Sequence, residues 1–215
     1  MTSSWKYLPA DVFAAGPVVP VIVLDDVADA VPLAKALMAG GIKVLEVTLR
    51  TEAGLQSIAE IANKVPDAIV GAGTVTNAQE LAAVEAAGAK FAISPGGTPE
   101  LLKAGMGCSI PLIPGIASVS DLMACKDLGY DHLKFFPAEA SGGVKAIKSI
   151  AGPFPDITFC PTGGIGINNF LEYLSLPNVK CVGGSWLVPG DAIANGDWEA
   201  ITTLAKEAIA LSKSA

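Results

Sequence analysis

Short runs rich in β-branched and other apolar residues recur along the chain. They are "VVPVIVL" (18–24), "KVLEVTL" (43–49), "AIVGAGT" (68–74), "FAISP" (91–95), "PLIPGI" (111–116), "HLKFFPA" (132–138), "TFCPTGG" (158–164) and "KCVGGSW" (180–186), with starts about 20–26 residues apart. Between them lie Ala-, Leu-, Lys- and Glu-rich helical patterns such as "ADAVPLAKALMAGG" and "NAQELAAVEAAGAK". Several of these end in Gly, the usual helix stop. Strand–helix alternation at this spacing predicts βα units and a parallel sheet. Eight strands favour a closed (β/α)₈ TIM barrel over an open doubly wound sheet. No linker or low-complexity tract interrupts the pattern, so residues 1–215 are expected to form a single barrel domain. The first 17 residues are expected to supply a short helix closing the barrel bottom.

Composition narrows the function. The chain has 215 residues, is 51% hydrophobic, and carries a formal net charge of −7. An acidic chain of this kind is a poor fit to nucleic acid, which needs a basic face. No apolar run approaches the roughly 18 residues of a transmembrane helix, and the N-terminus lacks the pattern of a secretory signal. A cytoplasmic enzyme, with no nucleic-acid or membrane partner, is the expectation. The cysteines, Cys108, Cys125, Cys160 and Cys181, form no C-x-x-C pair and read as reduced, buried small hydrophobes. With one histidine, His132, a zinc site built on several imidazoles is excluded, although a carboxylate-only metal site is not.

In a barrel the chemistry sits at the C-terminal ends of the strands. Side chains alternate along a strand, so Glu46, Thr48 and Arg50 share one face of the second run. His132, Lys134 and Phe136 share one face of the sixth. An apolar interior has no use for Glu, Arg and Lys unless they act. Lys134 sits among Leu133, Phe135, Phe136 and Pro137, and a desolvated lysine is a candidate imine-forming nucleophile. The alternative is a strand-end lysine that snorkels to water. Glu46 is a candidate acid/base or a structural partner for a cation. Arg50, the chain's sole arginine, suits a bidentate clamp on carboxylate or phosphate. "CPTGGIG" and "VGGSW" close the last two strands, where barrels of this type commonly bind phosphate on backbone N–H groups. "GAGT" lacks the rest of a dinucleotide fingerprint and is read as a loop bringing the Thr74 hydroxyl to the mouth. His132 reads as a hydrogen-bonded core or rim residue, and Glu139 as either a site neighbour or the start of a helix. A phosphosugar isomerase or decarboxylase barrel, or a non-catalytic phosphosugar sensor, would share the phosphate end.

With these residues in view, the chain strongly resembles the 2-keto-3-deoxy-6-phosphogluconate (KDPG) / 4-hydroxy-2-oxoglutarate (KHG) aldolase family, class I aldolases of the Entner–Doudoroff pathway. The resemblance runs through "VLEVTLRT", "IVGAGTV", "FAISPG", "PLIPGI", "KFFPAE", "GPFPDITFCPTGGI" and "GGSWLVP". It implies a (β/α)₈ homotrimer with no cofactor and no metal. The substrate it implies is a phosphorylated keto acid, cleaved to pyruvate and glyceraldehyde 3-phosphate. It places the Schiff-base lysine at Lys134, the acid/base glutamate at Glu46 and the carboxylate-binding arginine at Arg50. Thr74 and Pro95 fall on the pyruvate side, Thr162, Gly163, Gly164, Gly184 and Ser185 at the phosphate end, and Phe136 is a further substrate-binding residue.

Overall fold

The structure, a computed structural model, describes residues 4–213. Its strands are β1 (Val18–Ile22), β2 (Val44–Thr48), β3 (Ile69–Gly73), β4 (Ala92–Ile93), β5 (Leu112–Ile113), β6 (Gly115–Ile116), β7 (His132–Phe135), β8 (Thr158–Pro161) and β9 (Val182–Gly184). The α-helices are α1 (Pro9–Ala14), α2 (Ala30–Ala39), α3 (Gly54–Lys64), α4 (Ala78–Ala86), α5 (Pro99–Gly107), α6 (Val119–Asp127), α7 (Gly143–Ile150), α8 (Phe170–Leu174), α9 (Gly190–Ala194) and α10 (Trp198–Ser212). Every predicted run contains a strand, and the fifth contains two. Pro114 has no N–H to give to a ladder, and β5 and β6 lie on either side of it.

All the paired strands are parallel. Their order is β5-β4-β3-β2-β1-β9 in one set and β6-β7-β8 in the other. Isolated parallel bridges join Thr162 to Gly183 and Phe159 to Val179, where β8 meets β9. The fold is thus α/β with a curled parallel sheet. β1 and β2 are buried along their whole length, as expected of strands covered on both faces. Helix α3 shows the complementary pattern, burying Gly54, Ser57, Ile58 and Ile61 along one stripe. No described helix is long and apolar enough to cross a membrane.

The helix starts keep the loops short at the C-terminal ends of the strands. Four residues after β3, the Asn77 side chain accepts the Glu80 N–H at 2.8 Å and starts α4. After β6, Ser118 and Asp121 form a capping box: the Asp121 N–H donates to Ser118 Oγ at 3.2 Å, and the Ser118 N–H to Asp121 Oδ2 at 2.9 Å. At the same end Thr48 Oγ1 donates to the Ile22 carbonyl at 2.9 Å, tying β2 to β1.

At the opposite end, α1 inserts Val12 and Phe13 into a cluster with Val19, Val44, Phe91, Ile93, Ile113, Cys160 and Cys181. These residues come from β1, β2, β4, β5 and β8, and from positions just before β4 and β9, so one short helix caps much of the sheet. His132 belongs to this end as well. Its ring stands edge-on to Phe13, with centroids 5.2 Å apart, and its Nδ1 pairs with Asp131 Oδ1 at 2.7 Å. It is a packed, hydrogen-bonded residue, as the sequence suggested. All four cysteines are free and buried, and burial pushes the Cys125 thiol up to about 12. Phe13→Ala should remove the centre of this plug and cost about 3–5 kcal/mol of stability. Urea unfolding monitored by circular dichroism would show it, and a loss under about 1 kcal/mol would mean that the site collapses freely or that α1 is dispensable.

Candidate active site

Lys134 and Glu46 meet. Lys134 lies on β7 opposite Gly115 of β6 and Cys160 of β8, and Glu46 lies on β2 opposite Val21 of β1. The two strands are not neighbours, so the side chains reach each other across the hollow of the curled sheet. Lys134 Nζ donates to Glu46 Oε1 at 3.1 Å. Only 4% of Lys134 and 1% of Glu46 is exposed. Neither snorkels to water. Lys134 Nζ also stands 5.3 Å from the centre of the Phe136 ring, whose face adds a weak attraction for the cation.

Strand side chains lean along the strand as well as out of the sheet. Glu46 pairs with Gly71 of β3, yet its carboxylate end lies over Gly73. A Cβ at Gly73 would sit 2.7 Å from Glu46 Cγ. Gly73 therefore supplies the space that Glu46 fills. Gly115 plays a similar part beside Lys134: a Cβ there would run into the Pro95 carbonyl. The backbone after β4 can come this close only because position 115 is glycine. Pro95 itself is exposed just beyond β4, next to the strand pair that carries Lys134.

Arg50 falls two residues past the end of β2, exposed, in a turn rather than on the strand face. Its Nε donates to Thr74 Oγ1 at 3.4 Å. Thr74 takes up the left-handed region at φ 63°, uncommon for a non-glycine residue. Arg50 also borders a cavity of about 280 Å³ at the C-terminal ends of the strands. Phe136, Thr162, Gly163, Gly164, Gly184 and Ser185 share that cavity, so the predicted phosphate-end residues come together. Gly163 and Gly164 are both left-handed, at φ +104° and +76°, a pair of conformations that favours glycine. Sequence reading missed Val21, Ile165 and Gly183 in the lining. At Gly183 a Cβ would collide with the Thr162 hydroxyl, and glycines inside strand patterns are the available signal for such close approaches.

Fold and site together define a class: an α/β protein with a buried lysine–carboxylate pair and an open cavity at the C-terminal ends of a parallel sheet. The comparisons with known proteins narrow this further. The profile described as KDPG and KHG aldolase matches residues 10–204. The chain is 70% identical over 210 residues to the 2-dehydro-3-deoxy-phosphogluconate aldolase of Pseudoalteromonas atlantica, covering 98% of each chain. It is 59% identical to the KHG/KDPG aldolase of Escherichia coli K12, covering 96% of this chain and 97% of that one. The crystal structure of KDPG aldolase from Legionella pneumophila, with pyruvate captured at low pH as a covalent carbinolamine intermediate, superposes with a TM-score of 0.94. That chain is 56% identical, and the match covers 95% of this chain and 100% of that one. The chain belongs to the KDPG and KHG aldolase family.

Proposed function

We propose that this chain cleaves KDPG to pyruvate and D-glyceraldehyde 3-phosphate through a Schiff base on Lys134, and cleaves 4-hydroxy-2-oxoglutarate to pyruvate and glyoxylate by the same route. The observation that carries the reading is the buried hydrogen bond between Lys134 and Glu46. The names of its relatives support the substrates, and the carbinolamine in the Legionella relative supports the imine chemistry.

The chemistry follows from the pair. Attack requires a free amine, and the hydrogen bond offers Glu46 as the place for the departing ammonium proton. The amine adds to the C2 ketone to give a carbinolamine. Glu46 then gives its proton to the C2 hydroxyl, which leaves as water, so that a protonated imine remains and Glu46 is a carboxylate again. Glu46 takes the proton of the C4 hydroxyl, directly or through a water. The C3–C4 bond then breaks, its electrons flow to the imine nitrogen, and an enamine remains. The aldehyde product departs, C3 is protonated, and hydrolysis frees pyruvate and the lysine. In this reading Arg50, with Thr74 beside it, holds the keto-acid carboxylate, which keeps C2 near Nζ. Thr162, Gly163, Gly164, Gly184 and Ser185 receive the phosphate.

The strand pairings support the finer reading of the fold. β5 and β6 are one run of chain, and the bridges between the β8 and β9 ends join the two sets of strands. We infer one closed (β/α)₈ barrel over the described residues, 4–213, the ends of the expected 1–215 domain lying outside them, and, from the family resemblance, a cytoplasmic homotrimer. The activity is tested by following pyruvate release from KDPG with a coupled lactate dehydrogenase assay. Equal yields of pyruvate and glyceraldehyde 3-phosphate are expected, and no release of pyruvate would overturn the reading. Arg50→Lys keeps the charge but loses the planar fork. It should lower kcat/KM about 10- to 100-fold, the scale of one charge-assisted hydrogen bond. Unchanged steady-state constants would remove Arg50 from the carboxylate site.

A further inference from the structure

Next to the Gly163–Gly164 turn lies a pair that the bond-breaking chemistry does not use. Glu139 stands in the segment after β7, and Tyr173 lies on α8. The Tyr173 hydroxyl donates to Glu139 Oε1. Tyr173 is fully buried, whereas Glu139 is exposed. Burial, and after it the bond to Glu139, push the Tyr173 phenol up, so it stays a proton donor at neutral pH.

Glu139 is bound closely to the turn. The Ala138 N–H donates to the Thr162 carbonyl at 2.8 Å, and the Glu139 N–H to the Gly163 carbonyl at 3.1 Å. A Cβ at Gly164 would lie 2.6 Å from Glu139 Cγ and 2.8 Å from Glu139 Cβ. The Glu139 side chain therefore passes directly against Gly164. Its carboxylate ends on Tyr173, and Glu139 does not line the cavity. Among the described residues, Arg50 is the one charged side chain that does line it. A carboxylate free to turn toward that cavity would oppose a phosphate there by like-charge repulsion.

We propose that Tyr173 is a positioning and specificity-determining residue: by holding the Glu139 carboxylate, it fixes the Gly163–Gly164 turn and keeps negative charge out of the cavity that takes the phosphate. The inference rests on the aldolase reading above and deepens it at the phosphorylated end of the substrate.

The test compares Tyr173→Phe, Glu139→Gln and the double variant on two substrates, KDPG and the phosphate-free 4-hydroxy-2-oxoglutarate. Phenylalanine keeps the buried ring and removes only the hydroxyl. Tyr173→Phe should raise KM for KDPG about tenfold, the scale of one lost hydrogen bond to a charged group, with kcat little changed. KM for 4-hydroxy-2-oxoglutarate should stay within about twofold, inside the range of a remote change. Adding Glu139→Gln to Tyr173→Phe should restore most of the KDPG KM, because no charge is then left to swing. Equal losses on both substrates, an unmoved KDPG KM or a failure of Glu139→Gln to rescue would each overturn the proposal. Exchange of the methyl protons of pyruvate, followed by NMR, separates the two levels. Exchange that persists in every variant while KM stays fixed sinks the positioning role alone. Its absence in the wild-type chain sinks the aldolase reading, and the proposal with it.

Discussion

Lys134→Ala is expected to abolish cleavage of KDPG and all borohydride trapping of pyruvate. The variant removes the amine proposed to form the covalent bond, and no other lysine contacts Glu46 among the described residues. Loss of a covalent nucleophile costs roughly 10⁴-fold or more in rate in enzymes where it has been removed. The fold feels the change too. A buried carboxylate left without its cation costs about 3–5 kcal/mol. Activity and thermal unfolding must therefore be measured together. A folded variant with no adduct agrees with the assignment, and a folded variant that still forms an adduct shows that another lysine carries the chemistry.

Glu46→Gln separates bond breaking from imine formation. Glutamine has nearly the same shape, so it fits the space above Gly73 and still accepts a hydrogen bond from Lys134. It cannot take the C4 hydroxyl proton. Turnover of KDPG should fall by roughly 10²–10⁴, the usual range for loss of a general acid/base, while borohydride still traps pyruvate on the protein. Stopped-flow and steady-state rates on purified variant would show the split. A loss of less than about tenfold would place the proton transfer on another group or on water alone.

How much of this could be read from the chain depends on how local the cause is. Every strand was visible as an apolar run, because strands covered on both faces need nothing but apolar residues. The break at Pro114 was visible in principle, since proline cannot donate to a ladder. Alternation placed Lys134 and Glu46 on inward faces. It could not say that they touch, because their strands are not adjacent and the contact spans the hollow of the sheet. Arg50 shows the limit of alternation. β2 ends at Thr48, so the period-two rule does not reach a residue in the turn beyond it. Gly73, Gly115 and Gly183 were hidden for a related reason. Each is required by a side chain or carbonyl from another strand or from the residues just past one, and that depends on register and lean rather than on neighbours in sequence. The Glu139–Tyr173 pair is further still from local rules, since it joins a loop to a short helix 34 residues away.

The central claim is that Lys134 is the imine-forming residue, and one measurement addresses it directly. The wild-type chain is incubated with pyruvate, reduced with borohydride, digested and mapped by mass spectrometry. A single reduced pyruvate adduct per chain, on the peptide that carries Lys134, is the predicted result. An adduct on any other lysine, or none at all, would contradict it.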